Sequence, residues 1–148
     1  MIRAATLDDL PALLALAGVM HAEAPAYRDW QFDADKVAAL LRGLIAGGGC
    51  LLVSVMDDEI AGGIAGLCTE HWFSREKVAT DLALFVAPQR RHGTTAMRLV
   101  LGFMAWAELV GARRVNLGIT TGVHPGATGA LYELCGLRDT GRLYSKDF

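Results

Sequence analysis

Long apolar runs are missing from this chain. Its most apolar window, Leu99 to Ala107, is bracketed by Arg98 and Glu108 and falls far short of the ~20 residues that a membrane-spanning helix needs. No membrane partner is expected. Charge of one sign is also scarce: 14 Lys and Arg stand against 16 Asp and Glu, a net charge of −2. That balance argues against a nucleic-acid binder, and only Arg90–Arg91 and Arg113–Arg114 are locally basic. The three cysteines, Cys50, Cys68 and Cys135, are far apart, odd in number and mostly in apolar surroundings. They read as small reduced core residues with no zinc spacing, and no metal is expected. Asp8 and Asp9 sit where a secretory leader would carry a basic start and a long apolar core, so a cytoplasmic protein is expected. With no repeat, low-complexity tract or linker, residues 1–148 read as one domain. It is large enough to bury roughly 70% of its unfolded surface.

What is present alternates between strand and helix patterns. Ile2 to Ala5 reads as a short strand. Leu10, Leu13, Leu14 and Ala17 give the next segment a helical face. Thr6 or Asp8 could cap it, and Pro11 favours Asp8 because proline then falls in the first turn. After a loop from Ala24 to Gln31, a second helix begins at Asp33, carries Val37, Leu40, Leu41, Leu44 and Ile45 on one stripe, and ends at Gly47–Gly49. Cys50–Val55 and Ile60–Cys68 form a hairpin, and Val78–Val86 is a fourth strand. A helix from about Thr94 to Val110 is apolar on most sides and should be largely buried. Val115–Thr120 is a fifth strand, Ala127–Cys135 a short helix, and Leu137–Lys146 two short strands about Asp139–Gly141. The one strand–helix–strand crossover makes part of the sheet parallel.

The stretch from Leu82 to Leu101, LALFVAPQRRHGTTAMRLVL, is the most informative. A strand, a tight basic loop and a helix start follow one another. Such a helix start presents unpaired N–H groups and the positive end of a dipole, a seat for phosphate. The two arginines add charge there.

This stretch resembles the acyl-CoA-binding motif of the GNAT superfamily of N-acyltransferases, whose phosphate loop reads Arg/Gln-x-x-Gly-x-Gly/Ala. The best register is Arg91-His92-Gly93-Thr94-Thr95-Ala96, with Thr94 in place of the first glycine. Two further elements resemble the family: Leu131-Tyr132-Glu133-Leu134-Cys135-Gly136-Leu137, with Leu137 in place of Phe, and the opening Ile2 to Leu10. The resemblance covers essentially the whole chain. It implies an α/β (α+β) fold: a mixed, mostly antiparallel sheet of six to seven strands, about four flanking helices, and a splay between strands 4 and 5.

The resemblance also implies a site. The backbone of Arg91, His92, Gly93, Thr94, Thr95 and Ala96 would hold the pyrophosphate of acetyl-CoA, and main-chain groups around Leu84, Phe85 and Val86 the pantetheine. Tyr132 resembles the general acid that protonates the departing thiolate. An amine with a pKa near ~10 must lose a proton before it can attack. Asp81, an unusual residue for a strand interior, is a candidate base. Glu70, His71, His124 and a water chain are its rivals. Trp72 and Phe73, with His21, Tyr27 and Trp30, lie in segments that build the acceptor pocket in the family. The function implied is direct acetyl transfer, without an acyl-enzyme, to an amine of a small molecule or peptide. The alternatives are a non-catalytic acyl-CoA-binding or protein-interaction module, and a site for another phosphate compound. A homodimer is the assembly expected for a small apolar-rich domain.

Overall fold

The computed structural model describes residues 1–148. Five strands lie side by side in chain order: β1 (Ile2–Ala4), β2 (Cys50–Met56), β3 (Glu59–Glu70), β4 (Lys77–Val86) and β5 (Ala112–Asn116). The first three pairings are antiparallel and β4–β5 is parallel, as the single crossover requires. Four α-helices flank the sheet: α1 (Leu10–Glu23), α2 (Ala34–Gly43), α3 (Thr95–Leu109) and α4 (Pro125–Leu134).

Alternation along the strands divides the core into two layers. Leu51, Val53, Ala65 and Phe85 pack with Leu13 of α1 and Leu41 of α2. Cys50, Ile64, Ala79 and Val86 face the other way, onto Leu99, Phe103 and Ala107 of α3. The last three recur every four residues and form one helix face. That face is buried, but Leu101 and Leu109 on the opposite side are exposed, so α3 is less enclosed than its composition suggests.

The β2–β3 hairpin turns on Asp57 and Asp58, at φ 52° and 60°, the paired left-handed geometry of a two-residue loop. The start of α1 differs from expectation. Asp8 is not the cap: a single 3-10 turn, Leu7–Asp9, follows Thr6. The buried Asp9 carboxylate accepts from the Thr6 N–H at 2.8 Å and from both arms of the Arg3 guanidinium at 2.7 and 2.8 Å. Arg3 holds the Asp9 carboxyl down at about 2.

The sheet has five strands, not six to seven. β5 stops at Asn116 rather than Thr120, and residues 137–148 form no strand. A strand needs a partner edge and a face to bury. β5 offers only five residues of edge before the chain turns away, and nothing covers Leu143 and Tyr144, which are 74% and 84% exposed.

Two features at one level of β4 shape the site. Ala65 pairs with Ala83 and Gly66 with Asp81, so Leu82 is an extra residue, a bulge. On the other side, β4–β5 pairing ends at Thr80–Asn116. From Asp81 to Val86 no strand lies against that edge. β5 itself ends at Asn116, which leaves that edge of β4 unpaired.

Candidate active site

The two proposed proton carriers come together where β4 and β5 part. An Asp81 carboxylate oxygen accepts from the Gly118 N–H at 2.9 Å. Tyr132, buried on α4, donates its hydroxyl to the Gly118 carbonyl at 3.2 Å. Burial pushes the Asp81 carboxyl above the usual carboxylate range, against the lowering effect of the Gly118 N–H. Burial, then the neighbouring Asp81 charge and Cys135, raise the Tyr132 phenol, which holds its proton firmly at neutral pH. Gly118 was not singled out in the sequence. Its only signal is a glycine inside the strand pattern read from Val115 to Thr120, a frequent mark of a bulge or a close approach.

At the far end of the open half of β4 lies the loop. A 3-10 turn, Pro88–Arg90, leads through Arg91–Thr94 into α3. The backbone N–H groups from His92 to Ala96 take no acceptor from the protein. Thr94 sits at the helix cap with φ −90°, a value its branched side chain accepts, and makes no capping bond. Thr95 turns its hydroxyl away, toward the Met56 sulfur. An open groove of about 420 Å³ lies over this helix start, bordered by Arg90, Arg98, Ser54 and Met56.

The arginines do not serve as free charges there. Arg91 turns back: its Nε donates to the Val86 carbonyl at 3.0 Å and its two arms clasp the Glu23 carboxylate at the end of α1. Arg90 pairs with Asp57 at 2.9 Å. The cation left without an ion pair is Arg98, one turn into α3. Glu23 and Arg98 both escaped the sequence reading, and neither carries a local signal.

The segment between α1 and α2 reaches across to the β5–α4 loop. Its Ala26 N–H donates to the Thr121 carbonyl at 3.2 Å, and Pro25 packs over Gly122, whose φ is +78°. Tyr27 and Trp30 meet edge to face at 5.7 Å on this strap, with Trp30 61% exposed. His124 stands three residues beyond Thr121, exposed at the start of α4. His21 packs against Phe32, with ring centroids 5.3 Å apart. Leu84, Phe85 and Val86 bury their side chains in or against the core, as expected if their main chain does the binding.

Glu70, His71, Trp72 and Phe73 are not part of this grouping. Glu70 pairs with Lys77 at the other end of β4, about 13 Å from Asp81 at 3.3 Å per residue. His71, Trp72 and Phe73 cluster there among themselves, with His71 and Phe73 centroids 4.1 Å apart. Two of the three thiols are poor nucleophiles: burial pushes Cys50 up to about 12 and raises Cys135 as well.

No family model and no curated protein matches the chain. Solved structures do. The chain is similar over its whole length to an acetyltransferase of Trypanosoma brucei, at 18% identity and TM-score 0.77 with 99% of that chain covered. It is similar to the aminoglycoside acetyltransferase meta-AAC0020 from an uncultured soil metagenomic sample, at 16% identity and TM-score 0.76, again over its whole length and 94% of that chain. A transcriptional regulator from Bacillus halodurans C-125 matches at 20% identity and TM-score 0.78, over all of this chain and 99% of the other. With a mixed sheet whose fourth and fifth strands run parallel and with these likenesses in shape, the chain has the fold of the GNAT acetyltransferases.

Proposed function

We propose that the protein is an N-acetyltransferase that moves acetyl from acetyl-CoA directly to an amine. The observation that carries this reading is the convergence of Asp81 and Tyr132 on Gly118, at the mouth of a half-open strand that ends in a row of free N–H groups. The main chain from His92 to Ala96 would take the pyrophosphate, each charge-assisted bond contributing about 1.5–3 kcal/mol before losses. The open edge at Leu84–Val86 would take the pantetheine, which sets the thioester beside Gly118.

The proton steps then follow. Asp81, made more basic by burial, takes a proton from the ammonium. The neutral amine attacks the thioester carbonyl, the C–S bond breaks, the sulfur takes the Tyr132 proton, the phenolate takes the second proton from the new amide nitrogen, and Asp81 releases the first to solvent. Net, one amine hydrogen ends on the CoA thiol. The two steps support each other. The Asp81 charge is one of the things that holds the Tyr132 proton in place, and that charge disappears once Asp81 carries the amine's proton. No cysteine need take part.

The acceptor would enter beside the strap, past Tyr27, Trp30 and His124. An aromatic, partly open mouth suits a small amine, and aminoglycoside acetyltransferases are among the similar structures. The regulator among the neighbours keeps a second reading in view, a non-catalytic acyl-CoA sensor. Calorimetry with acetyl-CoA, ATP and NAD, followed by thiol release over a broad amine panel, tests both. Tighter binding of either nucleotide would overturn the cofactor. Binding of acetyl-CoA with no acceptor in the panel would favour the sensor.

A further inference from the structure

We infer that residues 23–26 are a brace between the cofactor loop and the β5–α4 loop, and that Glu23 and Arg91 are its positioning residues: through them, filling of the loop at 91–96 steadies the strap at the acceptor's mouth. The ligand that fills the loop rests on the acyl-CoA reading, and the contacts do not.

The first anchor is at the end of β4. Main-chain groups of a strand point alternately to its two sides. The Ala87 N–H donates to the Ala61 carbonyl at 2.9 Å, toward β3, so the Val86 carbonyl faces the other way, to the unpaired edge. Arg91 Nε donates to that carbonyl at 3.0 Å, and its two other nitrogens hold the two oxygens of Glu23. All three guanidinium nitrogens are engaged, in the forked geometry that fixes direction as well as distance. The two side chains are only 26% and 29% exposed, which spares the pair some of the screening that weakens surface pairs.

The second anchor is three residues on. The Ala26 N–H donates to the Thr121 carbonyl at 3.2 Å, and Pro25 lies over Gly122. Three residues span at most about 11 Å, so one short segment ties both loops. That segment is stiff. Ala24 is buried, at 1% exposure, and the ring of Pro25 fixes its φ. Tyr27 and Arg28 both donate back to the Ala24 carbonyl, at 3.1 and 2.9 Å. A stiff segment held at both ends passes on a displacement that a loose one would absorb.

What lies at each end gives the brace its use. At one end, the N–H groups from His92 to Ala96 have no acceptor in the protein. An anion seated there would steady the loop and, with it, the root of Arg91. At the other end, the loop that holds Thr121 and Gly122 also holds Gly118, the partner of both Asp81 and Tyr132. Tyr27 and Trp30 continue the strap from Ala26. Order at the cofactor loop therefore reaches the acceptor's side through one ion pair.

Hydrogen exchange with and without saturating CoA tests this in the unaltered protein, Glu23→Gln and Arg91→Met. Methionine keeps an unbranched stem and none of the donors. The amides to follow are Ala26, Tyr27, Arg28 and Trp30, each hydrogen-bonded in the strap. In the unaltered protein CoA should slow their exchange about fivefold or more. In both variants CoA should still protect residues 92–96, but the strap rates should change by less than about twofold. A role confined to stability would raise strap rates in free and bound protein alike and leave the response to CoA intact. That result overturns the inference, as does a strap in the unaltered protein that ignores bound CoA. If calorimetry finds no CoA binding, the acetyltransferase reading fails and the free protein decides this one. Either substitution should then speed exchange at Ala26 about fivefold more than in β2 and β3, and an equal change in strap and strands overturns it.

Discussion

The two halves of β4 are the same strand put to different uses. From Lys77 to Thr80 it is bonded on both sides, and the turn beside it gathers His71, Trp72 and Phe73 into a cluster of their own. From Asp81 to Val86 it is bonded on one side only, and every group proposed for the chemistry lies along or beyond that free edge. Residue type does not separate the halves: the paired end has the more suggestive side chains, a glutamate, a histidine and two large aromatics. What separates them is whether the backbone has a partner. A binding edge in this fold is made by withholding a strand.

The sharpest way to break that comparison is Tyr132→Phe. It should lower turnover by about 10²- to 10⁴-fold, the usual weight of a positioned acid, with CoA affinity unchanged by calorimetry. Equal loss of affinity would make Tyr132 a packing residue. The pH profile comes next. Burial favours the neutral form of Asp81, so its basic form is lost on acidification at a higher pH than for an ordinary carboxylate. The acid limb of kcat/KM should therefore lie above the usual carboxylate range, and a limb at the ordinary position would move the base elsewhere.

Glu23→Gln should act more mildly. It loosens the clasp that ties α1 to the loop, and KM for CoA should rise about fivefold, the equivalent of about 1 kcal/mol. Asp9→Asn should leave kcat/KM alone and lower stability at pH 7 by roughly 1–2 kcal/mol, read by urea unfolding. Because the folded-state value of Asp9 is depressed to about 2, this contribution is present above the unfolded value near 4 and vanishes as pH falls through about 2. Parent and variant should then converge. The smallest effect belongs to the paired half: Trp72→Ala should change kcat/KM by less than about twofold, or under ~0.4 kcal/mol. A tenfold loss would return that turn to the acceptor pocket.

Much of this arrangement is legible in the sequence, for identifiable reasons. The strand–loop–helix pattern around Pro88 to Leu99 is local, and periodicity reports it directly. Tyr132 is singled out by its neighbours from Leu131 to Gly136. The orientation of the arginines was not legible: whether Arg91 faces a phosphate or Glu23 depends on where the end of α1 lies, 68 residues away along the chain. The last two strands failed for a related reason. Leu137 to Lys146 has a strand's local pattern, but pairing also requires an edge of adequate length, and β5 supplies five residues. Likewise Glu70 to Phe73 carry suggestive chemistry, but the chain sets them at the paired end of β4, away from Asp81 and Tyr132.

The one-residue bulge at Leu82 acts like an inserted letter in a two-letter reading frame. Before it, the odd-numbered Ala79 points to the α3 layer; after it, the odd-numbered Phe85 points to the α1–α2 layer. Asp81 is the last odd position read in the first frame. Deleting Leu82 would restore a single frame and leave Ala83 to Val86 in the layers they now occupy. Pairing Leu82 in regular register would instead send each residue from Ala83 to Val86 to the other layer, so the two cores hold the extra residue out of the ladder.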